Sequence, residues 1–299
     1  MSFTVTTINQ EEFSSHPLLK RLLELSDIPK QIYIVGTMPK ITLDEYGRAT
    51  PRILSVVGSR KYSQYGKNAV EKLLSHLAGE NVVIVSGLAY GIDTIAHVSA
   101  LNNKLRTFAI LANGIDEKVM YPKNHIEIAK EIVQSGGLLI SEYPPTEQAT
   151  QWKFPARNRI VAALSDAVLV VEADEKSGTL VTARQALELG RDIGAIPGDI
   201  FSPTSRGTHM LIRDGAYIIS NEDDLVSLLH ITKNVEAKST SVSLTPDEEN
   251  LLALLNEPVE KDFLFLKSKM TFERFLSVLS SLEIKGVIEE TFGEVRRLV

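Results

Sequence analysis

The sequence predicts an α/β protein with a doubly wound, mostly parallel sheet and helices on both faces, followed by a small C-terminal domain. From residue 53 to about residue 229, short apolar runs rich in valine and isoleucine alternate with helical stretches. These runs are nearly continuous in apolar residues, as expected for strands that are buried on both faces. After a polar break at 231–243, a helix-capping sequence opens three short helical stretches and a hairpin. The larger domain is therefore predicted to be Rossmann-like.

Six apolar runs are the predicted strands of this sheet, and five helical stretches lie between them. Strand–helix alternation of this kind places successive strands parallel to one another. The predicted strands are 53–58, 82–87, 107–112, 138–141, 167–173 and 193–198. The predicted helices are Gly66–Ala78, Ile92–Leu101, Ile126–Gln134, Phe154–Leu164 and Thr179–Leu189.

Four segments are predicted along the chain: a lead-in (1–51), the Rossmann-like domain (52–230), a linker (231–243) and a winged helix (244–299). The lead-in contains one amphipathic helical stretch, Pro17–Leu25. The last segment opens with Thr245-Pro246-Asp247-Glu248, a capping box with proline at the first helical position. Three small helices followed by a two-stranded turn are typical of a winged helix.

Composition excludes several classes of site and predicts a cytoplasmic protein. The 299 residues contain no cysteine, which excludes disulfides, thiolate zinc sites, iron–sulfur clusters and a cysteine nucleophile. No apolar run approaches the roughly 18 residues of a membrane span. The N-terminus has neither the basic start nor the apolar stretch of a signal peptide. We therefore expect no contact with a membrane.

The formal charge of −6 counts against a nucleic-acid partner, but the basic residues are segregated along the chain. Three windows contain no acidic residue, so a basic face on an acidic protein is possible if the fold brings these windows together. The lysines and arginines of the three windows are Arg48, Arg52, Arg60, Lys61 and Lys67; then Lys153, Arg157 and Arg159; then Arg206 and Arg213.

Glycine-rich loops follow three of the predicted strands, at GSR (58–60), SGLAYG (86–91) and KSGT (176–179). In an open parallel sheet these loops meet at the carboxyl edge, where ligands bind. Glycine lets the backbone approach a phosphate, and the N–H groups of the following helix favour an anion. Arg60 and Lys61 add positive charge, so this edge is predicted to bind phosphate.

The usual cofactor and hydrolase motifs are missing from the sequence. GxGxxG does not follow the first strand, and neither GxxxxGK[ST] nor GxSxG occurs. No histidine pair has the spacing of metal ligands. We therefore expect no cofactor and no metal, and no motif supports a hydrolase or a metalloenzyme. Asp93 and His97, four apart on one predicted helix, are candidates for an acid–base pair; the favoured interpretation is that they cap and orient the 86–91 loop.

The segment WKFPARNR (152–159) alternates two aromatic rings with basic residues before and within a predicted helix. Stacking on such a ring contributes ~1–3 kcal/mol per base and tolerates any sequence, while cations hold the backbone. The alternative is that the rings belong to the core and the arginines to a solvated face. The acid-free flanks favour binding of a single strand.

Eight blocks of the sequence resemble, in order, the signature blocks of the DprA (Smf) family. The stretch at 17–36 also looks like the segment that precedes the Rossmann domain of that family. The blocks are GSR…YG (58–66), SGLAYGID (86–93), YPKNH (121–125), SEYPP (141–145), FPARNRIVAALSDAVLVVEA (154–173), SGTLVTARQALELGR (177–191), IPGDI (196–200) and SRGTHMLIRDGA (205–216).

The resemblance implies a non-catalytic, homodimeric protein that binds single-stranded DNA and helps the RecA recombinase onto incoming strands during natural transformation. By position, Arg60 matches the phosphate-binding arginine of the family, Phe154 its base-stacking ring and Lys176 a lysine near a strand end. The candidate DNA-binding residues are Gly58, Ser59, Arg60, Lys61, Gly87, Tyr90, Gly91, Lys153, Phe154, Arg157, Asn158, Arg159, Lys176, Ser177, Gly178 and Thr179.

Two departures from the family pattern change the expectations. Position 90, commonly arginine in the family, is Tyr90, which removes a charge and supplies a ring that could stack on a base. The third helix of the predicted winged helix carries Arg274 but also Glu273 and Glu283. A helix that reads the major groove should be more basic, so a protein or dimer contact is favoured for that domain.

Two other functions remain as alternatives. A Rossmann-like nucleotide phosphoribohydrolase is one, because SGT (177–179) faintly resembles the GGxGT loop of those enzymes; the paired glycines and the following glutamate are absent. The other is a sequence-specific regulator that acts through the winged helix. Its weakly basic third helix counts against it.

Overall fold

The computed structural model describes residues 3–231, 244–255, 259–285, 287–291 and 293–297. The chain divides into two compact units, Met1–Thr232 and Lys233–Val299. Apart from Ile231, the predicted linker lies outside the described residues. Within the described part of the chain, no helix is long and apolar enough to cross a membrane.

The first unit contains a nine-stranded sheet in the order β1-β2-β8-β7-β6-β5-β9-β10-β11. The seven strands from β8 to β11 in this order are parallel, and β2 is antiparallel to both β1 and β8. A separate two-stranded ladder joins β3 to β4. The strands are β1 (Thr6–Asn9), β2 (Gln31–Gly36), β3 (Thr42–Leu43), β4 (Ala49–Thr50), β5 (Arg52–Val57), β6 (Val82–Ser86), β7 (Arg106–Leu111), β8 (Leu138–Ser141), β9 (Ala167–Val170), β10 (Asp192–Ala195) and β11 (Tyr217–Ile218).

Helices cover both faces of this sheet, because each central strand carries apolar residues on both of its faces. Ile53 and Val57 of β5 belong to one buried cluster, and Leu54 and Val56 to another on the opposite face. The fold class predicted from the sequence, a doubly wound and mostly parallel α/β sheet, is confirmed. The helices of this unit are α1 (Pro17–Lys20), α2 (Gln64–Ser75), α3 (Ile92–Asn102), α4 (Ile126–Gln134), α5 (Lys153–Leu164), α6 (Gly178–Glu188), α7 (Arg206–Arg213) and α8 (Glu222–Leu228).

The N-terminal segment belongs to the sheet, whereas the sequence predicts a lead-in separate from the domain. Its strand β2 pairs with β8, and Phe13, Leu18 and Leu22 are fully buried against the main core. These apolar side chains are thereby removed from water, which the N-terminal segment could not achieve by itself. The predicted helical stretch Pro17–Leu25 forms as α1 followed by a 3-10 turn, Arg21–Glu24.

The strand order reverses between β5 and β9. The chain builds outward from β5 through β6 and β7 to β8, and then returns to the other side of β5 as β9. At such a switch point the loops that leave the two neighbouring strands diverge to opposite faces and open a crevice at the carboxyl edge. The functional site is therefore expected beside the ends of β5 and β9.

Within its described residues, the second unit has three helices and a three-stranded sheet in the order β12-β14-β13. The predicted capping box is confirmed, since Thr245 accepts a hydrogen bond from the Glu248 N–H and Glu248 accepts one from the Thr245 N–H. The predicted turn is present at Gly293, whose φ is +84°. The winged-helix assignment stays a prediction. The elements are α9 (Pro246–Leu252), β12 (Val259–Glu260), α10 (Lys261–Ser268), α11 (Phe272–Ile284), β13 (Ile288–Thr291) and β14 (Glu294–Arg297).

Candidate nucleic-acid interface

A cavity of about 480 Å³ opens at the switch point, between the end of β5 and the N-terminal turns of α5 and α6. Its position follows from the strand order alone. Eight of the sixteen candidate residues line it: Gly58, Arg60, Gly87, Phe154, Arg157, Asn158, Gly178 and Thr179. The other lining residues are not among those candidates: Val57, Ala89, Asp93, Tyr121, Gln151, Pro155, Val161 and Thr182.

Arg60 and Phe154 lie together at this cavity. The guanidinium carbon of Arg60 is 4.8 Å from the centre of the Phe154 ring, a cation–π contact. Arg60 is exposed and Phe154 is half-buried. A full positive charge and an aromatic ring therefore lie side by side at the cavity.

The loop that carries Arg60 is held against the loop after β6. The Ile92 N–H donates to the Ser59 carbonyl at 3.2 Å. Gly91 has φ +85°, and a Cβ there would lie 2.2 Å from that carbonyl oxygen, so only glycine lets the two loops approach. The Ser59 hydroxyl bonds to the N–H and the carbonyl of Lys61 within its own turn. Ser59, Gly91 and the exposed Lys61 thus shape the rim and do not line the cavity.

The N-terminus of α6 faces the cavity from the other side of the switch point. Ser177 caps the helix by accepting from the Thr179 N–H at 3.1 Å. Gly178 is open around its Cα, since a Cβ added there would meet no atom within 4 Å. The free N–H groups of a first helical turn favour an anion. Lys176 is exposed on the loop two residues before Gly178.

Arg157 points into the protein. It is 3% exposed, and its Nη1 donates to the carbonyl oxygens of Gly87, at 2.7 Å, and Ile110. Burial lowers its pKa, while the nearby carboxylate of Asp93 acts in the opposite direction. Arg157 therefore fixes the loop after β6 on α5, and its neighbour Asn158 accepts a bond from its Nε at 3.2 Å.

The charged groups of Lys153 and Arg159 also contact other residues of the protein. Lys153 is 2% exposed, donates to the Gln148 carbonyl at 2.6 Å and forms an ion pair with Glu147. Arg159 forms an ion pair with Glu142 at 2.5 Å and also reaches Asp27 in the N-terminal segment. We assign both residues to the support of the site, because neither charge faces the cavity.

Asp93 and His97 do not pair with each other. The Asp93 carboxylate accepts from the N–H groups of Gly87, at 3.1 Å, and Ala89, at 3.4 Å, which is the loop-capping role favoured from the sequence. His97 is fully buried and bonds to the Thr107 hydroxyl at 2.7 Å. Among the described lining residues Asp93 is the one carboxylate, and the hydrogen bonds from Gly87 and Ala89 hold it to the loop after β6.

Aromatic rings extend from the cavity along its rim. The centre of the Tyr121 ring is 5.7 Å from that of Phe154, and Tyr90 is 6.4 Å further on. Tyr121 is not among the candidate residues, although its motif YPKNH is one of the eight sequence blocks. Trp152 lies apart from this row, 62% exposed, against Tyr143 and the Lys153 ammonium.

Fold and site together define a Rossmann-like protein whose switch-point cavity combines an arginine, an aromatic ring and a helix N-terminus. Among the described residues there is no group of three or more side chains that could hold a metal ion. The chain belongs to the family described as DNA recombination-mediator protein A, whose sequence profile matches residues 4–230.

Relatives with names of this family align over most of the chain. DNA processing protein DprA from Streptococcus pneumoniae is 41% identical over 206 residues, which cover 69% of this chain and 69% of the relative. Protein Smf from Escherichia coli is 39% identical over 287 residues, 93% of this chain and 74% of the relative. The resemblance inferred from the eight sequence blocks is thus confirmed.

Two solved structures are similar to this chain over about three quarters of its length. The X-ray structure of DprA from Streptococcus pneumoniae aligns with a TM-score of 0.64 and 36% identity, over 75% of this chain and 74% of that one. DNA processing protein A from Helicobacter pylori aligns with a TM-score of 0.63 and 32% identity, over 77% and 98%. The latter structure concerns the single-stranded DNA binding mode of that protein.

Proposed function

We propose that this protein binds single-stranded DNA in the switch-point cavity and catalyses no reaction on it. The contact between Arg60 and Phe154 carries the proposal. A nucleotide carries a phosphate and a base a short distance apart. Arg60 offers a positive charge for the phosphate, and Phe154 beside it offers an aromatic ring for the base. The N-terminus of α6 supplies a second anion site across the cavity.

The geometry favours a single strand over a duplex. Phe154 lies within the cavity, half-buried between two loops. A base can reach this ring only if it has left its stack and its partner, as bases do in single strands. The DNA-binding mode of the Helicobacter pylori relative supports the same conclusion.

The family membership supports a place in recombination. We propose that the protein covers incoming single strands and hands them to the RecA recombinase during natural transformation. In a strand-exchange reaction blocked by a single-strand binding protein, we expect added protein to restore RecA activity. The Arg60→Ala variant should fail to restore it, and restoration by that variant would contradict the role of this cavity.

We propose a homodimer that forms through the outer edge of the sheet. Strand β11 is the last of nine, and both of its residues, Tyr217 and Ile218, are more than half exposed. The neighbouring Leu187 on α6 is 67% exposed. Exposed apolar edge strands pair with other strands, and pairing of two identical edges gives a closed twofold dimer.

For the second unit we propose a winged helix that contacts protein rather than duplex DNA. Arg274 of α11 is held in an ion pair with Asp247 at 2.6 Å. Phe263, Leu266 and Phe272 are at least half exposed on α10 and α11, which suits an apolar partner. Removal of residues 244–299 should leave single-strand binding intact; loss of binding would favour a regulator that reads DNA through this unit.

The central test is a binding titration with matched single-stranded and double-stranded oligonucleotides at several salt concentrations. We expect preference for the single strand, little dependence on sequence and affinity that falls steeply with salt. Equal affinity for both forms at low salt would overturn the proposal. Incubation with nucleoside monophosphates should release no base, and release would revive the enzyme alternative.

A further inference from the structure

The aromatic rings at the cavity form one continuous row rather than a single stacking site. Phe154, Tyr121 and Tyr90 follow one another at centroid distances of 5.7 and 6.4 Å, with interplanar angles of 63° and 83°. Arg60 stands over the Phe154 ring at one end. Tyr121 and Tyr90 are 44% and 43% exposed, so the row leads from the cavity out over the rim.

The outer end of the row is held in place by the buried His125 ring and by the exposed Asn124. Tyr90 packs edge-on against the buried His125 ring at 5.0 Å, and its hydroxyl donates to Asn124 Oδ1 at 3.2 Å. His125 Nδ1 lies 2.9 Å from the carbonyl of Leu88. Leu88 is fully buried with φ +56°, a left-handed conformation that is costly for a branched residue and persists only when its surroundings impose it.

The spacing of the rings sets a condition on the strand. Stacked bases of one strand in a duplex rise by about 3.4 Å each, whereas the ring centres are separated by 5.7 and 6.4 Å. Successive bases can occupy successive rings only if the strand is drawn out and its own stacking is broken. A strand whose bases stack weakly on one another gives up less free energy on binding.

We propose that Phe154, Tyr121 and Tyr90 seat three successive bases of an extended strand, in this order outward from Arg60, and that the row adds a modest preference for pyrimidine runs to an otherwise sequence-tolerant site. The inference rests on the proposed function, because it needs a single strand in the cavity. It assigns base contacts to Tyr121 and makes Tyr90 the outermost of them.

The test measures the affinity of the full chain for oligothymidylates of one to six nucleotides, by fluorescence anisotropy at constant low salt. Affinity should rise with each of the first few nucleotides, because each base gains a ring. We expect the Tyr121→Leu variant to lose the gain of the second base and Tyr90→Leu that of the third, each by about 5- to 150-fold. Tyr90→Phe keeps the ring and loses only the hydroxyl bond to Asn124, so it should retain most of the outermost gain that Tyr90→Leu loses.

Tyr46→Leu is the matched control, since Tyr46 is 62% exposed and lies outside the row. All variants should melt within a narrow range of the parent, as expected for exposed side chains. Oligothymidylate should bind more tightly than oligoadenylate of equal length, and the double variant Tyr90→Leu/Tyr121→Leu should lose this difference.

The outcomes separate the two proposals. If the tyrosine variants keep the full length dependence of the parent, the row is not a binding track, while single-strand binding at Arg60 and Phe154 still stands. If the parent binds no oligonucleotide at all, the proposed function fails and the row fails with it. Tyr90→Phe behaving like Tyr90→Leu would also overturn the inference, because the ring would then not be what the base contacts.

Discussion

Gly87 and Arg157 are fitted to each other across 70 residues of sequence. Arg157 Nη1 donates to the Gly87 carbonyl at 2.7 Å, and a Cβ added to Gly87 would lie 2.2 Å from the guanidinium nitrogens. The loop after β6 thus rests directly on α5. This contact joins two walls of the cavity, since both residues line it.

Gly87→Ala should destabilise the first unit and weaken DNA binding. The methyl group displaces the Arg157 guanidinium from its carbonyl partners, and a lost hydrogen bond to a charged group costs ~1.5–3 kcal/mol. Urea unfolding measures the change. Gly178→Ala is the control, because a Cβ added there would have no atom within 4 Å. Equal stability of the two variants would contradict the close packing of Gly87 against Arg157.

Arg60→Ala and Phe154→Ala should weaken binding in different ways. Loss of one phosphate contact on a single strand reduces the slope of log affinity against log salt by about 0.7. Loss of a stacking ring lowers affinity by ~1–3 kcal/mol per base without changing that slope. Titrations at four salt concentrations separate the effects. The same slope change in both variants would show that the two side chains do not have these separate roles.

Arg159→Met should lower stability while leaving the salt slope unchanged. The substitution leaves Glu142, whose side chain is 20% exposed, without its charged partner, at a cost of ~1–3 kcal/mol. Denaturant unfolding and the salt titration are both needed. A fall in slope comparable to that of Arg60→Ala would mean that Arg159 contacts phosphate after all.

His97 should make the first unit sensitive to mild acid. Burial, with the nearby charges of Arg157 and His125, lowers its pKa from 6.5 to about 3. Above pH 6.5 the imidazole is neutral in both folded and unfolded chains, so it does not change the free energy of unfolding there. As the pH falls from 6.5 towards 3, only the unfolded chain takes up the proton, and the free energy of unfolding falls by ~1.4 kcal/mol per pH unit.

The comparison of His97→Gln with the parent isolates this contribution. Urea unfolding at pH 7, 6 and 5 should show a shallower pH dependence for the variant, because glutamine does not titrate. Parallel curves for the two proteins would show that His97 is not held neutral in the folded state.

Lysines on the outer edge strand should dissociate the proposed dimer. The double variant Tyr217→Lys/Ile218→Lys places two charges on an unpaired edge, which opposes strand pairing. Light scattering should then report a monomer that still binds DNA. Ile200→Lys is the control, since Ile200 is 74% exposed and lies away from β11 in the chain. A parent that is monomeric at the same concentration would contradict the edge-to-edge arrangement.

The sequence by itself determined the fold class and the edge of the sheet that carries the site. The strands from β5 to β10 lie within three residues of the predicted bounds, because runs buried on both faces leave a continuous apolar signal. Glycine loops after parallel strands meet at one edge, so Gly58, Gly87 and Gly178 could be placed together before any contact was known. The short β11 left no comparable signal, and its two residues are exposed.

Only the tertiary structure decided which cations are free to meet a ligand. Arg60 and Arg159 look alike in the sequence, each in an acid-free window, yet Arg159 is paired with Glu142 and Asp27, and Arg60 lies over a ring. Both partners of Arg159 lie outside its acid-free window, and Arg52 meets Asp166 in the same way. Local composition cannot show such pairs, because they depend on which strands the sheet brings side by side.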